Sequence, residues 1–324
     1  MITASDIVRL PYTADLSRAG ILFACRALPA LQGPSGRRLY EAFRRIIAAT
    51  IADLAFRRYL TARGVRFAVV RQAPFWEADR YTVRVAGRAC VLRAYLISRR
   101  QQMEKFDELP ELALDASALV PVERFAAENL RADDIYMFAL VRGLFVEGND
   151  EDGPVAADRW VHIMPRPWRL PRTSRPLGLL TLKSEDQKHC RVELKGNDGT
   201  GSQMSVTAEL SPRARTTLDT DLHSVHCVLA PRRPEGKMGI HTSAIRATHV
   251  FERDEWQSMV LEGRDISLVG WITREQYRAR ANVLPLGSGV LQFDRTKTKN
   301  YAMPMRDLRP VEQLLDRLGG AARQ

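Results

Sequence analysis

From Arg37 to Arg63 the apolar residues Leu39, Phe43, Ile46, Ile47, Ile51, Leu54 and Ala55 recur at helical spacing, and Gly64 follows at once. Side chains so spaced share one face of an α-helix, and glycine most readily takes the left-handed conformation that ends one. The stretch therefore predicts a long amphipathic helix whose apolar stripe must be covered. The next segments are extended: Val65 to Val70 reads as a strand, and Pro74 to Arg100, PFWEADRYTVRVAGRACVLRAYLISRR, as a loop and a hairpin turning at Ala86-Gly87. Alternate strand residues point the same way, so Tyr81, Val83 and Val85 share one face of the first strand, and Val91, Arg93, Tyr95 and Ile97 share one face of the second.

A metal-dependent phosphodiesterase needs carboxylates for Mg²⁺ and a cation beside the scissile phosphate, converging from neighbouring elements. Asp79 stands just before the first hairpin strand, where such a carboxylate belongs. Helix, acid and hairpin in this order resemble the PD-(D/E)xK superfamily over Leu39 to Arg100. The resemblance implies a restriction-endonuclease-like α/β fold with Asp79 as first metal-binding acid and Asp53, in IADLAFRRYLTARGV, as the acid of the preceding helix. The acid-x-Lys tripeptide falls on Val91-Leu92-Arg93, and there the chain departs from the pattern. Valine cannot ligate a metal, and arginine keeps the charge but cannot exchange a proton. The departure implies a degenerate nuclease core, with Arg93 gripping phosphate and no cofactor. The alternative is an active DNA nuclease whose Asp79 and Asp53 hold one Mg²⁺ or Mn²⁺. Local readings stand beside these: Asp53 precedes Arg57 by four residues, the spacing of a helical ion pair, and Asp79 can cap a turn.

The net charge of +11 is unevenly placed. Residues 1–100 hold 18 arginines, no lysine and six acidic residues, whereas residues 101–158 hold four basic and fourteen acidic ones. Arginine's planar fork suits phosphate, so the helix residues Arg44, Arg45, Arg57 and Arg58, together with Arg93, Arg99 and Arg100, are candidate nucleic-acid contacts. A GC-rich genome also favours arginine, yet Lys183, Lys188, Lys195, Lys237, Lys297 and Lys299 show that lysine is used elsewhere. Arg295, Lys297 and Lys299 lie between Phe293 and Tyr301, mixing cations with aromatics as nucleic-acid surfaces do, or forming a solvated loop.

The run Glu147-Gly-Asn-Asp-Glu-Asp-Gly-Pro154 reads as a linker, dividing residues 1–150, a nuclease-like mixed-sheet domain, from residues 151–324, a β-rich accessory domain. A basic proline-spaced stretch, Met164 to Pro176, follows it, and then strand-like segments at Leu177 to Lys183, Cys190 to Lys195, Gln203 to Leu210, Val225 to Leu229 and Ile266 to Ile272. Glu193-Leu194-Lys195 is a second acid-x-Lys, but Asp186 lies too close upstream to leave room for a hairpin. His223, His226 and Cys227 are a weak zinc pattern without a paired cluster.

The strings GILFACR, LAFRRYL, DRY, LISRR, ALVP, DIYMFA, PLGLLTLKSE, GWITREQYRARA and RTKTKN span most of the chain. They are similar to prokaryotic nuclease-like proteins found beside Argonaute and other defence genes. That likeness implies a defence complex in which DNA and an Argonaute or another defence protein are partners. No apolar run reaches the ~18 residues of a membrane span, no secretory signal opens the chain, and four dispersed cysteines suit a reducing compartment, so a cytoplasmic protein is expected. A protein-binding scaffold that never touches nucleic acid is the third reading.

Overall fold

The computed structural model describes residues 2–27, 36–70, 83–147, 160–164, 175–244 and 248–321. The chain forms two compact units, one from residues 1–20, 44–144 and 262–324 and the other from 21–43 and 145–261. The linker expected at 147–154 falls close to one border, but from 148 onward it lies outside the described residues. The C-terminal residues return to the first unit instead of staying with the β-rich half, because their strands complete a sheet begun before residue 144.

In chain order the elements up to that border are β1 (Val8–Pro11), α1 (Ala14–Ala27), α2 (Gly36–Ala62), β2 (Phe67–Val69), β3 (Val83–Val85), β4 (Arg88–Ile97), α3 (Arg100–Glu108), α4 (Leu112–Asp115), β5 (Ser117–Pro121), α5 (Val122–Ala127) and β6 (Ile135–Glu147). On α2 the residues Phe43, Ile46, Ile47, Ile51, Ala52, Phe56 and Leu60 are buried, which realises the helical periodicity. Its end is closed by Gly64 at φ 65°, with the Val65 N–H donating to the Leu60 carbonyl at 2.9 Å. That 6→1 bond is the Schellman closure a following glycine permits. Ala86 and Gly87 both have positive φ, 46° and 76°, the backbone of a tight hairpin turn matched to strand twist. The turn fixes the register Val85↔Arg88 and Val83↔Cys90.

β4 pairs in parallel with β6 from Cys90↔Ile135 to Ile97↔Arg142, so the sheet of this unit is mixed. β5, which leaves the crossover between them, joins a separate three-stranded sheet with the late strands β16 (Asn282–Leu284) and β17 (Asn300–Pro304). One face of β4 and β6 is buried in a cluster that includes Val91, Tyr95, Ile97, Tyr136, Phe138, Val120 and Tyr277. Tyr277 belongs to α6 (Arg274–Arg280), and its hydroxyl donates to the carbonyls of Ala118 and Tyr301 at 2.9 and 2.8 Å. The chain closes on α7 (Val311–Ala321).

The second unit is β-rich, as its alternating segments predict. Its large sheet runs β10 (Gln203–Leu210), β9 (Cys190–Asn197), β12 (Ser224–Ala230), β7 (Val161–Met164) and the first residues of β15 (Gln257–Thr273). A four-stranded sheet runs β11 (Arg215–Thr220), β8 (Gly178–Ser184), β13 (Met238–Thr242) and β14 (His249–Phe251). Leu180, Leu182, Val192, Leu194, Val228, Met238 and Ile240 fill the core of this unit. At Gly196 an added Cβ would lie 1.8 Å from the Ser224 carbonyl oxygen, so only glycine lets β9 and β12 approach there. Among the described residues, no helix is long and apolar enough to cross a membrane.

Candidate nucleic-acid interface

The tripeptide Val91-Leu92-Arg93 lies within β4, and alternation sends Val91 and Arg93 to one side. That side is the hydrophobic cluster: Val91 is buried there beside Tyr95 and Ile97. Arg93 forms an ion pair with Glu128, whose side chain is only 1% exposed against 11% for Arg93. Tyr136 donates its hydroxyl to the other Glu128 oxygen at 2.6 Å, and the Arg93 guanidinium sits 5.7 Å from the Tyr136 ring centroid. Burial pushes the Arg93 pKa below its ordinary value, and the ion pair compensates the charge. The cation that the sequence offers to a phosphate is thus held by a carboxylate 35 residues further on. Val91 has no donor atom and the Glu128 oxygens are taken up by Arg93 and Tyr136, so the donor set on this face of β4 does not fit Mg²⁺ or Mn²⁺.

Asp53 is almost fully buried on α2 and paired with Arg57 at 2.6 Å, the i,i+4 arrangement its spacing allows. Its charge acts on Cys90, where burial first and then the carboxylates of Asp53 and Asp134 push the thiol up to about 12. Cys90 leaves β4 on the face opposite Val91 and Arg93, so Asp53 and Arg93 are not brought together. Asp79 lies outside the described residues. Among the described residues there is no group of three or more His, Cys, Asp or Glu side chains placed to hold a metal.

The weaker motifs have structural partners. Asp186 accepts from the N–H groups of Lys188 and Glu235 at 3.0 and 3.2 Å and pairs with Arg232 at 2.9 Å. Glu193 pairs with Lys195, which also donates to Ser205 Oγ at 2.7 Å. β8 and β9 flank Asp186 but lie in different sheets, so no nuclease-type hairpin forms there. Cys227 is buried on β12 against the Cys25 thiol, and that contact, with burial, pushes Cys25 well above its ordinary value.

The arginines of α2 divide. Arg58 pairs with Asp15 and donates to Thr13 Oγ1 at 3.0 Å, and the Arg58 hydrogen bond draws Asp15 down to about 2. Arg57 is held by Asp53. Arg45 is exposed, and Arg44 reaches the C-terminal end of β4, where it donates to Ser98 Oγ.

Near that end of β4 lies the part of the basic loop around residues 291–294, whereas Lys299 sits at the far end of β5, its carbonyl accepting from the Val122 N–H at 3.0 Å. Arg99 chelates both oxygens of Asp294, and Gln102 donates to the Leu291 carbonyl, tying α3 to the loop of residues 285–299. The loop is internally braced. Gln292, 5% exposed, accepts from the Ser117 N–H at 3.2 Å and donates to the Ser117 carbonyl. Thr296, equally buried, donates its hydroxyl to the Pro285 carbonyl at 3.0 Å and its N–H to the Ser288 carbonyl at 2.8 Å. Gly287 takes φ 86° at this closure. On this frame Arg295, Lys297 and Lys299 are all exposed, as is Arg100 at the start of α3. Arg100, Arg295 and Lys299 carry no ion pair among the described residues. Carboxyl ends of parallel strands are where open α/β sheets commonly place ligands.

No protein-family model matches the chain, and no curated protein matches it. Among solved structures, that of the infectious bursal disease virus Gt strain overlaps 57% of this chain and 39% of its own, at 10% identity and a TM-score of 0.11. So slight a likeness carries no argument about fold or function.

Proposed function

We propose that this protein binds nucleic acid, with DNA as the expected form, through phosphates held by the loop of residues 285–299, and that its nuclease-like core does not cut. The observation that carries this reading is the braced loop of residues 285–299, which presents Arg295, Lys297 and Lys299 to solvent. A braced backbone loses less conformational entropy on meeting a phosphate than a mobile loop, so this presentation favours binding. The closed Arg93–Glu128 pair and the apolar Val91 support the absence of cleavage, since neither position offers a metal ligand. The reading also draws on the PD-(D/E)xK resemblance of the sequence, whose helix and hairpin correspond to α2 and β3–β4, with β2 between them. On the further likeness to Argonaute-associated proteins, the chain serves a defence complex whose partner supplies the chemistry.

The test is fluorescence anisotropy of a labelled oligonucleotide titrated with the protein between about 50 and 200 mM salt. Affinity falls as salt rises, and replacing Arg295, Lys297 and Lys299 together by alanine flattens the log–log slope by roughly 2 to 3. The same mixtures with Mg²⁺ or Mn²⁺ give no cleavage. Binding indifferent to salt, or unchanged in the triple variant, overturns the reading.

A further inference from the structure

We propose that the ligand of this surface is single-stranded, with one unpaired base stacked on the ring of Phe293. The proposal rests on the phosphate-binding reading above and adds the ligand's strandedness. Phe293 is 38% exposed, and no other described aromatic side chain is exposed. The other large exposed apolar residues, Val69, Leu109, Leu179, Val250, Val283 and Leu286, are aliphatic. An aromatic ring left in water forfeits burial, and single-strand binders use such rings as platforms because every base has a π-face.

The ring is also fixed in place. Phe293 and Val290 exchange both backbone hydrogen bonds, at 3.0 and 3.1 Å, closing a tight turn whose two inner residues are anchored elsewhere. The Leu291 carbonyl accepts from Gln102, and the Gln292 side chain is bonded to both backbone groups of Ser117. The Phe293 ring meets Tyr95 edge to face, with centroids 5.9 Å apart and planes at 79°. Tyr95 cannot swing away, because its hydroxyl bonds the Leu119 carbonyl and N–H at 2.7 and 2.8 Å. A T-shaped contact occupies one side of the pair and leaves at least one face of Phe293 turned from Tyr95.

The charges that follow the ring along the loop suit a phosphate backbone. Asp294, the acid beside Phe293, is neutralised by Arg99, and Arg295 follows with Lys297 and Lys299 beyond. In a duplex the bases are stacked on their own neighbours and offer no free face, so this platform selects unpaired nucleotides.

Anisotropy titrations of a labelled oligothymidylate of about 12 nucleotides, within the site size of one binding fold, and of a duplex of equal length test this directly. Phe293→Ala is expected to weaken single-strand binding by about fivefold to 150-fold, with an unchanged salt slope and duplex affinity within about twofold. Phe293→Trp is expected to keep single-strand affinity, and its indole fluorescence to be quenched on binding. If the melting curve shows that Phe293→Ala does not fold, Phe293→Leu replaces it, keeping bulk without a π-face. Wild-type single-strand affinity in the ringless variant, while the alanine triple variant loses binding, overturns the stacking proposal and leaves phosphate binding standing. Equal affinity of the wild type for duplex and single strand overturns it as well. Loss of neither interaction in any variant overturns both.

Discussion

Removing the Glu128 carboxylate measures what Arg93 does. Its side chain is 1% exposed and accepts from both Arg93 and Tyr136, so Glu128→Ala leaves a guanidinium in the core with no compensating charge. Breaking a buried pair in this way destabilises by about 3–5 kcal/mol. For a cooperative unit of roughly 150–250 residues each kcal/mol shifts Tm by about 2–4 °C, so the melt should fall by about 6–20 °C. Arg93→Met combined with Glu128→Leu removes both charges and fills the space with apolar groups, and is expected to melt within a few degrees of wild type. Such replacements of buried pairs are often neutral or stabilising. The assay is a thermal melt followed by near-ultraviolet circular dichroism, with DNA affinity measured on the folded variants. The double variant is expected to bind DNA as the wild type does. A Glu128→Ala protein that melts like wild type would refute the structural assignment of Arg93, and a double variant that folds but no longer binds would point to Arg93 meeting phosphate.

Restoring the tripeptide by Val91→Asp with Arg93→Lys is expected to lower Tm and to yield no Mg²⁺-dependent cleavage, because the new carboxylate enters the apolar cluster around Tyr95 and Ile97; nicking of supercoiled DNA reads the outcome. For Asp186, burial pushes the carboxyl up, but the Arg232 hydrogen bond and the N–H groups of Lys188 and Glu235 outweigh it and hold the pKa below its usual value. Its stabilisation is therefore full above the unfolded carboxylate range and lost as pH falls through the folded value. The Tm gap between wild type and Asp186→Asn should stay constant from about pH 7 to 5 and narrow below about pH 4. Gly196→Ala drives a Cβ into the Ser224 carbonyl oxygen and should cost roughly 1–3 kcal/mol or more in a melt, with DNA binding retained once folded. All four cysteines are buried, so a thiol reagent should label none in the native protein and all four in guanidinium.

How much of this was legible in the sequence depends on the range of the forces involved. The α2 stripe, its glycine stop and the Ala86-Gly87 turn are local, and composition and spacing predict them. The pairing of Asp53 with Arg57 is one helical turn and equally readable. In the sequence nothing near Arg93 competes with phosphate for it, while its partner Glu128 lies across the crossover, at a distance no periodicity encodes. The bracing of the basic loop is hidden for the same reason: Gln292 meets Ser117 and Asp294 meets Arg99, 175 and 195 residues apart. The expected boundary at residue 150 follows a real change in composition, but composition does not reveal that residues 262–324 return to the first unit. The sequence marks β15 only over its apolar second half, because Gln257 to Asp265 carries polar and charged residues that mask its pairing.

β5 lies beside β17, with Ser117 opposite Pro304 and Pro121 opposite Asn300. During synthesis at about 5–20 residues per second, β17 leaves the ribosome on the order of 10–40 s after β5. Throughout that interval Ala118, Leu119 and Val120 form an apolar strand without its neighbour, a segment for chaperones to shield. The loop of residues 285–299 gains its anchor on Ser117 in the same docking event. A nascent chain therefore cannot hold Arg295, Lys297 and Lys299 on an anchored loop until both segments, far apart in sequence, have been made.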